Sequence, residues 1–323
     1  MPASVLITGV AGNLGGFLAR HLHGSGIELR LMVHRRPLPQ DIGSGPHIRI
    51  FRADLASPAT LVDPCRGSDA VVHFAGVLFA PRPERFLPVT NTQYAHYLVD
   101  AAIEAGVRRF ILVSFPHVEG PTTPDDPARG RLDASPTSVH ARTRLEAERY
   151  LLRASEGTAM EPVVLRCGTI YGRGVLMVEA ARRLLGVWHR PTWYHFLSLP
   201  DFLSAMDAAI RAPGIRGVYL LGDEAPMTLQ AFLDRLADHW GLPRPWRAPA
   251  WAFFWRLRSW RRGRLPSARR RRLHGISSVS GWSPTSWIRP ACAASCCPSC
   301  VIRRLWKGLR PLRSCGGLCH PEP

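Results

Sequence analysis

Short apolar runs alternate with helix-period segments along residues 3–166. SVLITG (4–9), ELRLMVH (28–34), HIRIF (47–51), DAVVHFAG (69–76), RRFILVS (108–114) and PVVLRCG (162–168) are rich in Val, Ile and Leu and predict buried strands. Between them, residues 13–24, 58–66, 91–105 and 140–154 predict helices. In the segment 91–105, Tyr94, Leu98, Ala101, Ala102 and Ala105 fall at helical spacing and form a sheet-facing stripe. Strands alternating with helices predict an α/β fold with a doubly wound parallel sheet. Residues 116–138, rich in Pro, Gly and Asp, predict a long loop at the carboxyl end of the 108–114 strand, where such sheets keep their sites. Beyond 168 the pattern loosens to helices near 174–186, 200–211 and 227–240 and a strand at 216–221. The expected division is a nucleotide-binding domain over 1–168, a small substrate lobe over 169–257 and a tail over 258–323.

Composition changes this picture mainly in the tail. With 323 residues and 46% hydrophobic content, the chain has the size and make-up of a globular protein. No apolar run approaches the roughly 18 residues that a bilayer span needs. Met1 leads directly into a strand pattern with no basic n-region, so no signal peptide is expected and a cytoplasmic location follows. The net charge of +18 is unevenly spread. Residues 258–323 hold 14 Lys/Arg and one acid, whereas residues 1–257 hold 28 and 23. Six of the eight cysteines also lie in the tail, and Lys307 is the only lysine of the chain.

The tail carries no helical or strand period. Arg269 to Arg272 suit a phosphate-binding run. Cys292, Cys296, Cys297, Cys300, Cys315, Cys319 and His320 suit a metal by number but not by spacing, and no metal site is assigned. A third reading is a reading-frame shift: synonymous codons for 276–308, read one base earlier, encode a string with acids, helix formers and apolar spacing. On that reading no function belongs to the tail, and no nucleic-acid partner is expected. Before it, Trp246, Trp251, Phe254 and Trp255 suit packing on the lobe, lining of a pocket or, more sharply, an amphipathic surface helix; membrane contact is not the expectation.

The candidate chemistry begins at LITGVAGNLGG, which sets Gly9, Gly12 and Gly15 between a strand and a helix. The first glycine permits a sharp turn, the second a close backbone approach to a pyrophosphate, the third close packing of helix on strand. The helix start at Asn13 and Leu14 then offers free N–H groups and partial positive charge to phosphates. The second strand ends in His34, Arg35 and Arg36, with no acid to read an NAD ribose, so NADP is the expected cofactor and NAD the alternative. Asp54, after the third strand, suits a hydrogen bond to an adenine amino group. As a helix cap it lies early, and Ser57 is better placed.

TGVAGNLGG, ADL, DAVVHFAGV, NTQYAHYLVDAAIEAGVRRFILVS, RTRLEAERYLL, VVLRCGTIYG and VYLLGDEAPMTLQAFLDRLADHWG, in this order over residues 3–241, resemble the extended short-chain dehydrogenase/reductases, the NAD-dependent epimerase/dehydratase family. The resemblance implies a Rossmann-type sheet, a C-terminal substrate lobe and a bound NAD(P). It places Gly9, Gly12, Gly15, Arg35, Asp54, Ala75, Gly76 and Asn91 on the cofactor side; Asn91 suits the N-cap of its helix equally well.

The family's Ser/Thr, Tyr and Lys share its chemistry: the tyrosine moves a proton at the substrate oxygen, the lysine lowers the tyrosine pKa and holds the nicotinamide ribose, and the hydroxyl binds the substrate oxygen. In SVHARTRLEAER, His140 stands at the tyrosine position and Arg144 at the lysine position. In SFPHVEG, Phe115 falls on the hydroxyl position and Ser114 lies one place earlier. Histidine remains a competent acid–base group, with His117 a second candidate on the loop. Arginine can hold a ribose hydroxyl but does not release its proton; an ion pair with Glu148 is the alternative for Arg144. Two functions follow: a reductase or epimerase with His140 as proton relay, or an NADP(H)-binding sensor without turnover. The expected partners are a small-molecule substrate, a nucleotide sugar being one candidate, and a second copy of the chain in a homodimer. In the lobe, His195 and Asp201 are candidates to face the substrate, with a helix-capping role favoured for Asp201.

Overall fold

A computed structural model describes residues 4–39, 41–42, 45–76, 82–120, 128–181, 186–224 and 227–248. The tail and the Trp-rich stretch beyond residue 248 lie outside the described residues.

Seven parallel strands form the central sheet: β1 (Ser4–Thr8), β2 (Glu28–Val33), β3 (Ile48–Arg52), β4 (Ala70–His73), β5 (Arg109–Ser114), β6 (Glu161–Cys167) and, from far down the chain, β11 (Gly217–Leu221). Their order is β11-β6-β5-β4-β1-β2-β3. Thr8 pairs in register with Met32 on one side and His73 on the other, so the connectivity reverses at β1 and β4. That reversal opens a crevice at their carboxyl ends.

The apolar runs form strands because both faces of the sheet are covered. In β1, Val5 and Ile7 join the core that also holds Leu18 of α1 (Asn13–Leu22) and Phe202 of α7 (Leu199–Arg211). Leu6 joins the opposite core with Leu98 of α4 (Tyr94–Glu104) and Leu151 of α5 (Val139–Ala154). All three β1 side chains are fully buried, each worth about 1.5–3 kcal/mol relative to exposure. Arg109, inside β5, is also buried. Its Nη1 donates to the carbonyls of Ala209 and Ile210 at the end of α7, at 2.9 and 2.8 Å, and its Nε to Glu161 at 2.9 Å. Strand and helix residues from beyond 168 thus complete the body built around the central sheet.

Some predicted elements differ. The helix over 58–66 is a 3-10 turn at Pro58–Thr60 followed by a single turn, α2 (Val62–Cys65). Ser57 sits at the start of the 3-10 turn without a side-chain cap bond. The helix expected from Asn91 begins earlier, with α3 (Pro83–Leu87), and runs through a π-helical segment, Pro88–Gln93, into α4. Pro88 has no N–H for a regular helical bond, and the wider π turn accommodates it. Asn91 is therefore a buried residue inside a helical stretch, not an N-cap. The buried stripe of α4 is Ala95, Leu98, Val99, Ala101 and Ala102; Tyr94 is only half-buried.

The lobe consists of α6 (Leu176–Ala181), α8 (Leu229–Trp240) and small strand pairs. These pairs are β7 (Thr169–Tyr171) with β10 (Phe196–Ser198), β8 (Gly186–Trp188) with β13 (Trp246–Ala248), and β9 (Trp193–Tyr194) with β12 (Met227–Thr228). Trp246 lies in β13 and is 58% exposed, so packing covers only part of its ring. Among the described residues, no helix is long and apolar enough to cross a membrane.

Candidate functional site

The site is built at the carboxyl ends of β1, β4 and β5. Gly9 follows β1 with φ +70°, and a Cβ there would lie 2.8 Å from the backbone nitrogen of Ala75. A Cβ on Gly12 would lie 2.9 Å from the Gly9 carbonyl oxygen, and one on Gly15 only 2.5 Å from it. The Gly12 N–H donates to that same carbonyl at 2.8 Å. The turn is closed by backbone on backbone, and each glycine is required by contact.

Gly12 is the N-cap of α1, with no side-chain cap bond and no acid in the first turn. The amides at Asn13 and Leu14 therefore point from a helix start whose partial positive charge is not offset by a carboxylate of its own first turn. Leu14 packs its side chain on the core. The Asn13 carboxamide is occupied by the lobe: it donates to the Gly174 carbonyl at 2.9 Å and accepts from the Leu176 N–H at 3.1 Å. This cross-link holds the segment before α6 against the glycine turn.

Arg35 and Arg36 are exposed just past β2. Asp54 faces His34, with Nε2 to carboxylate 3.3 Å, and also accepts from the Ala56 N–H at 2.9 Å. Its carboxylate thus shapes its own turn, which Thr60 closes by accepting from the Asp54 N–H at 3.1 Å. After β4, Ala75 covers Gly9 and Gly76 is exposed. A Cβ on Gly76 would lie 3.0 Å from Nη2 of Arg144 and 3.3 Å from Oδ1 of Asn91. The structure thus gathers Gly76, Asn91 and Arg144, three residues singled out separately in the sequence.

His140 and Arg144 stand one turn apart on α5. The N-cap of that helix, Ser138, accepts from the Ala141 N–H at 3.1 Å. Phe115 stacks on His140 with ring centroids 4.5 Å apart and on His117 at 4.0 Å. Nε2 of His140 is buried and meets no hydrogen-bond partner among the described residues. Burial, and then the charge of Arg144, push the His140 imidazole down to about 4. Burial and then His140 push His117 down to about 3. His73, the buried last residue of β4, with Nδ1 2.8 Å from the Thr8 hydroxyl, is also pushed down to about 3, by burial and then by Arg144.

These three rings are therefore neutral near pH 7 when folded, whereas free imidazole titrates near 6.5. Below about pH 6.5 the unfolded chain takes up protons that the folded chain refuses. Stability is then fully present above 6.5 and lost as pH falls towards 4, each ring contributing a slope approaching about 1.4 kcal/mol per pH unit. Urea unfolding at pH 7.5 and pH 5.0 is expected to show a clearly lower midpoint at pH 5.0; equal midpoints would contradict the burial of these rings.

One catalytic candidate, Ser114, and one substrate-facing candidate, Asp201, are engaged elsewhere. The Ser114 hydroxyl is buried and donates to Glu148. Glu148 does not form the expected ion pair with Arg144. Its other oxygen accepts from Nε and Nη2 of Arg166 at 3.1 and 2.6 Å. Nη1 of Arg166 reaches Glu119 at 2.6 Å, and Glu119 accepts from the backbone N–H groups of Arg129 and Gly130 at 2.9 and 2.7 Å. Glu119, Glu148 and Arg166 are all buried. Sequence reasoning missed this network; an arginine inside the apolar run VVLRCG was its one trace. In the lobe, Ser198 caps α7 by accepting from the Asp201 N–H at 3.2 Å, and its hydroxyl donates to the Asp201 carboxylate at 2.5 Å. Asp201 thus serves the helix start. The carbonyl of His195 accepts from the Thr169 N–H at 2.7 Å, which places His195 beside the β7–β10 pair. Among the described residues no cluster of His, Cys, Asp or Glu forms a metal site.

Comparison with known proteins agrees with this geometry. The family model described as the NAD dependent epimerase/dehydratase family matches residues 5–216. Uronate dehydrogenase of Pseudomonas putida is 26% identical over 218 residues, covering 68% of this chain and 75% of that protein. A 3-diazoavenalumate denitrifying reductase of a Streptomyces species is 29% identical over 305 residues, covering 88% of this chain and 97% of that protein. The solved structure of MoeE5 in complex with UDP-glucose and NAD superposes with a TM-score of 0.64 at 26% identity, covering 76% of this chain and 85% of that one. The family match spans the glycine turn, the first six strands of the sheet and α5: the chain belongs to the NAD-dependent epimerase/dehydratase family.

Proposed function

We propose that this protein binds a pyridine dinucleotide in the crevice between β1 and β4, prefers NADP(H), and transfers hydride between it and a small carbonyl or hydroxyl substrate. The observation that carries the reading is the α1 start, free of cap side chain and acid, behind a turn in which every added Cβ meets backbone. That cradle fits a diphosphate. When bound, the dinucleotide supplies the hydride donor or acceptor. The turn at Gly9, Gly12 and Gly15, with the amides of Asn13 and Leu14, holds the diphosphate; Ala75, Gly76 and Asn91 flank it; Asp54 lies towards the adenine. Similarity to a structure solved with UDP-glucose and NAD supports a nucleotide sugar as one substrate class.

Arg35 and Arg36 meet the 2′-phosphate, which a site with an acid at this strand end would repel. A charge-assisted hydrogen bond is worth about 1.5–3 kcal/mol, so Arg35→Ala is expected to weaken NADPH roughly 10- to 100-fold while NADH changes little. Fluorescence titration of both cofactors measures the ratio.

His140 takes the place of the family's tyrosine at the substrate oxygen. Its neutral imidazole accepts the hydroxyl proton in the oxidative direction and returns it in the reductive one. Its pKa lies below neutral pH, so its contribution falls at the low end of the roughly 10²–10⁴-fold range of positioned acid–base catalysis. The test is NADPH oxidation by a panel of carbonyl compounds and nucleotide sugars. His140→Ala is expected to lower kcat about 100-fold with NADPH affinity kept within about threefold. Turnover unchanged by His140→Ala would remove His140 from the reaction.

A second reading is favoured by one observation: the Ser114 hydroxyl is bound to Glu148, while Phe115, which the resemblance sets at the hydroxyl position, stacks on His140. On that reading the protein binds NADP(H) as a sensor without turnover, and saturable NADPH binding with no oxidation by any compound of the panel would select it.

A further inference from the structure

The lobe lays a tight turn against the glycine turn, and that turn carries an arginine at its corner. The Val175 N–H donates to the Gly172 carbonyl at 3.1 Å, which makes Arg173 and Gly174 the two central residues. Gly174 has φ +79°, the conformation that a type II turn requires at its third position. The turn is wedged between two helices. A Cβ on Gly172 would lie 2.8 Å from Cβ of Leu199, the first residue of α7, and one on Gly174 would lie 3.2 Å from Cζ of Phe17 in α1. The Asn13 carboxamide then grips the turn twice, through the Gly174 carbonyl at 2.9 Å and the Leu176 N–H at 3.1 Å. Arg173 is thus carried on a corner fixed against the first residue of α1.

Arg173 is exposed, and among the described residues no acid pairs with it. Its position answers a shortage of charge at the proposed diphosphate. A diphosphate brings two negative charges, whereas the start of α1 offers amides and a partial charge of roughly +0.5. Arg35 and Arg36 stand past β2, at the 2′-phosphate end, and Arg144 stands where the resemblance sets the nicotinamide ribose. Between these ends Gly12 is exposed, and the turn bearing Arg173 is bound to the residue that follows it.

We propose that Arg173 is a diphosphate ligand, laid across the dinucleotide from the lobe side, and that Asn13 is the residue that positions it. The assignment deepens the dinucleotide reading and rests on it. Arginine suits this role because its planar, permanently charged fork bonds two phosphate oxygens at once. The diphosphate is common to both cofactors, so Arg173 contributes to NADH and NADPH alike, unlike Arg35 and Arg36. The two sets of arginines therefore divide the work: one holds any pyridine dinucleotide, the other chooses between them.

The test uses the full-length protein, with NADH and NADPH titrated by fluorescence and ADP-ribose, which keeps the diphosphate and lacks the nicotinamide, titrated by calorimetry. Arg173→Ala is expected to weaken all three roughly 10-fold, and Arg173→Glu more, with the ratio of NADPH to NADH affinity unchanged. Tm without ligand is expected to stay the same, since the side chain is exposed. Arg153→Ala, which removes an exposed charge from the last turn of α5, controls for overall charge and is expected to change none of the affinities. Asn13→Ala is expected to weaken all three probes, and adding Arg173→Ala to it to cost little more, because the corner is then no longer held.

An Arg173→Ala protein that binds NADH and NADPH as tightly as the unaltered one would overturn the assignment alone. So would loss of NADPH affinity with NADH affinity kept, which would set Arg173 at the 2′-phosphate. Loss of both with ADP-ribose affinity kept would overturn it too, by setting Arg173 at the nicotinamide. Fully additive losses in the double variant would overturn the positioning role of Asn13. An unaltered protein that binds none of the three probes would overturn the dinucleotide reading, and this assignment with it.

Discussion

Gly9→Val is expected to abolish dinucleotide binding and to destabilise the fold by about 2–6 kcal/mol. Two costs combine. The φ of +70° at Gly9 is a left-handed conformation that a β-branched residue adopts only under strain, about 1–3 kcal/mol. The added Cβ would also lie 2.8 Å from the Ala75 nitrogen and 3.1 Å from the Phe74 carbonyl carbon. Both contacts are backbone, so no rotamer change relieves them, and β1 and β4 would have to move apart; overpacking of this kind costs about 1–3 kcal/mol. The Gly9 carbonyl, which accepts from the Gly12 N–H, would turn with it and misdirect the start of α1. Urea unfolding measures the first effect and NADPH fluorescence the second. Gly24→Val is the control, because Gly24 also has positive φ, at +78°, but a Cβ there meets nothing within 4 Å. It is expected to show the conformational strain alone and to leave NADPH affinity intact.

Arg166→Met is expected to cost about 3–5 kcal/mol, the typical result of removing one partner from a buried charge network. Arg166 is fully buried and joins Glu148 of α5 to Glu119 beyond β5. Removing it leaves the two buried carboxylates with the Ser114 hydroxyl, two backbone N–H groups and the partly exposed Arg131, whose Nε lies 3.3 Å from Glu119. In a chain of this size the loss corresponds to a fall in Tm of roughly 10 °C. Replacing Glu119, Glu148 and Arg166 together by apolar residues of similar volume is expected to cost far less than the single change, because no fully buried charge is then left unpaired; Arg131, which loses Glu119, is partly exposed to water. A triple variant less stable than Arg166→Met would contradict this account of the network. The same network explains why the Ser114 hydroxyl is not offered to a substrate.

The sheet was legible in the sequence because strands covered on both faces must be apolar almost throughout, and such runs stand out between helical segments. The glycine turn was legible for a similar reason: three backbone contacts demand three glycines at set positions. The helical stretch around Asn91 was not, since the pattern of apolar residues does not reveal that Pro88 widens one turn and draws the helix start back to Pro83. The short turn at 58–60 escaped because Asp54 and Thr60 satisfy each other's polar groups locally, which leaves little for a longer helix. Most opaque were the pairings of charge. Glu148 lies at helical spacing from Arg144, which suggests a pair, but in three dimensions Arg166 is nearer and better aligned. Residues 18 and 47 positions apart meet there, and local spacing carries no trace of such contacts. His140, Arg144 and Phe115 were visible as letters; that they form a neutral ring cluster beside a buried guanidinium emerged only from the fold.

The most direct measurement is the fluorescence titration of the purified protein with NADPH and with NADH, followed by addition of carbonyl compounds to the bound reduced cofactor. The account predicts saturable binding of both, tighter for NADPH, and slow loss of the reduced cofactor's signal with at least one carbonyl compound. A folded protein that shows no saturable change with either dinucleotide would contradict it.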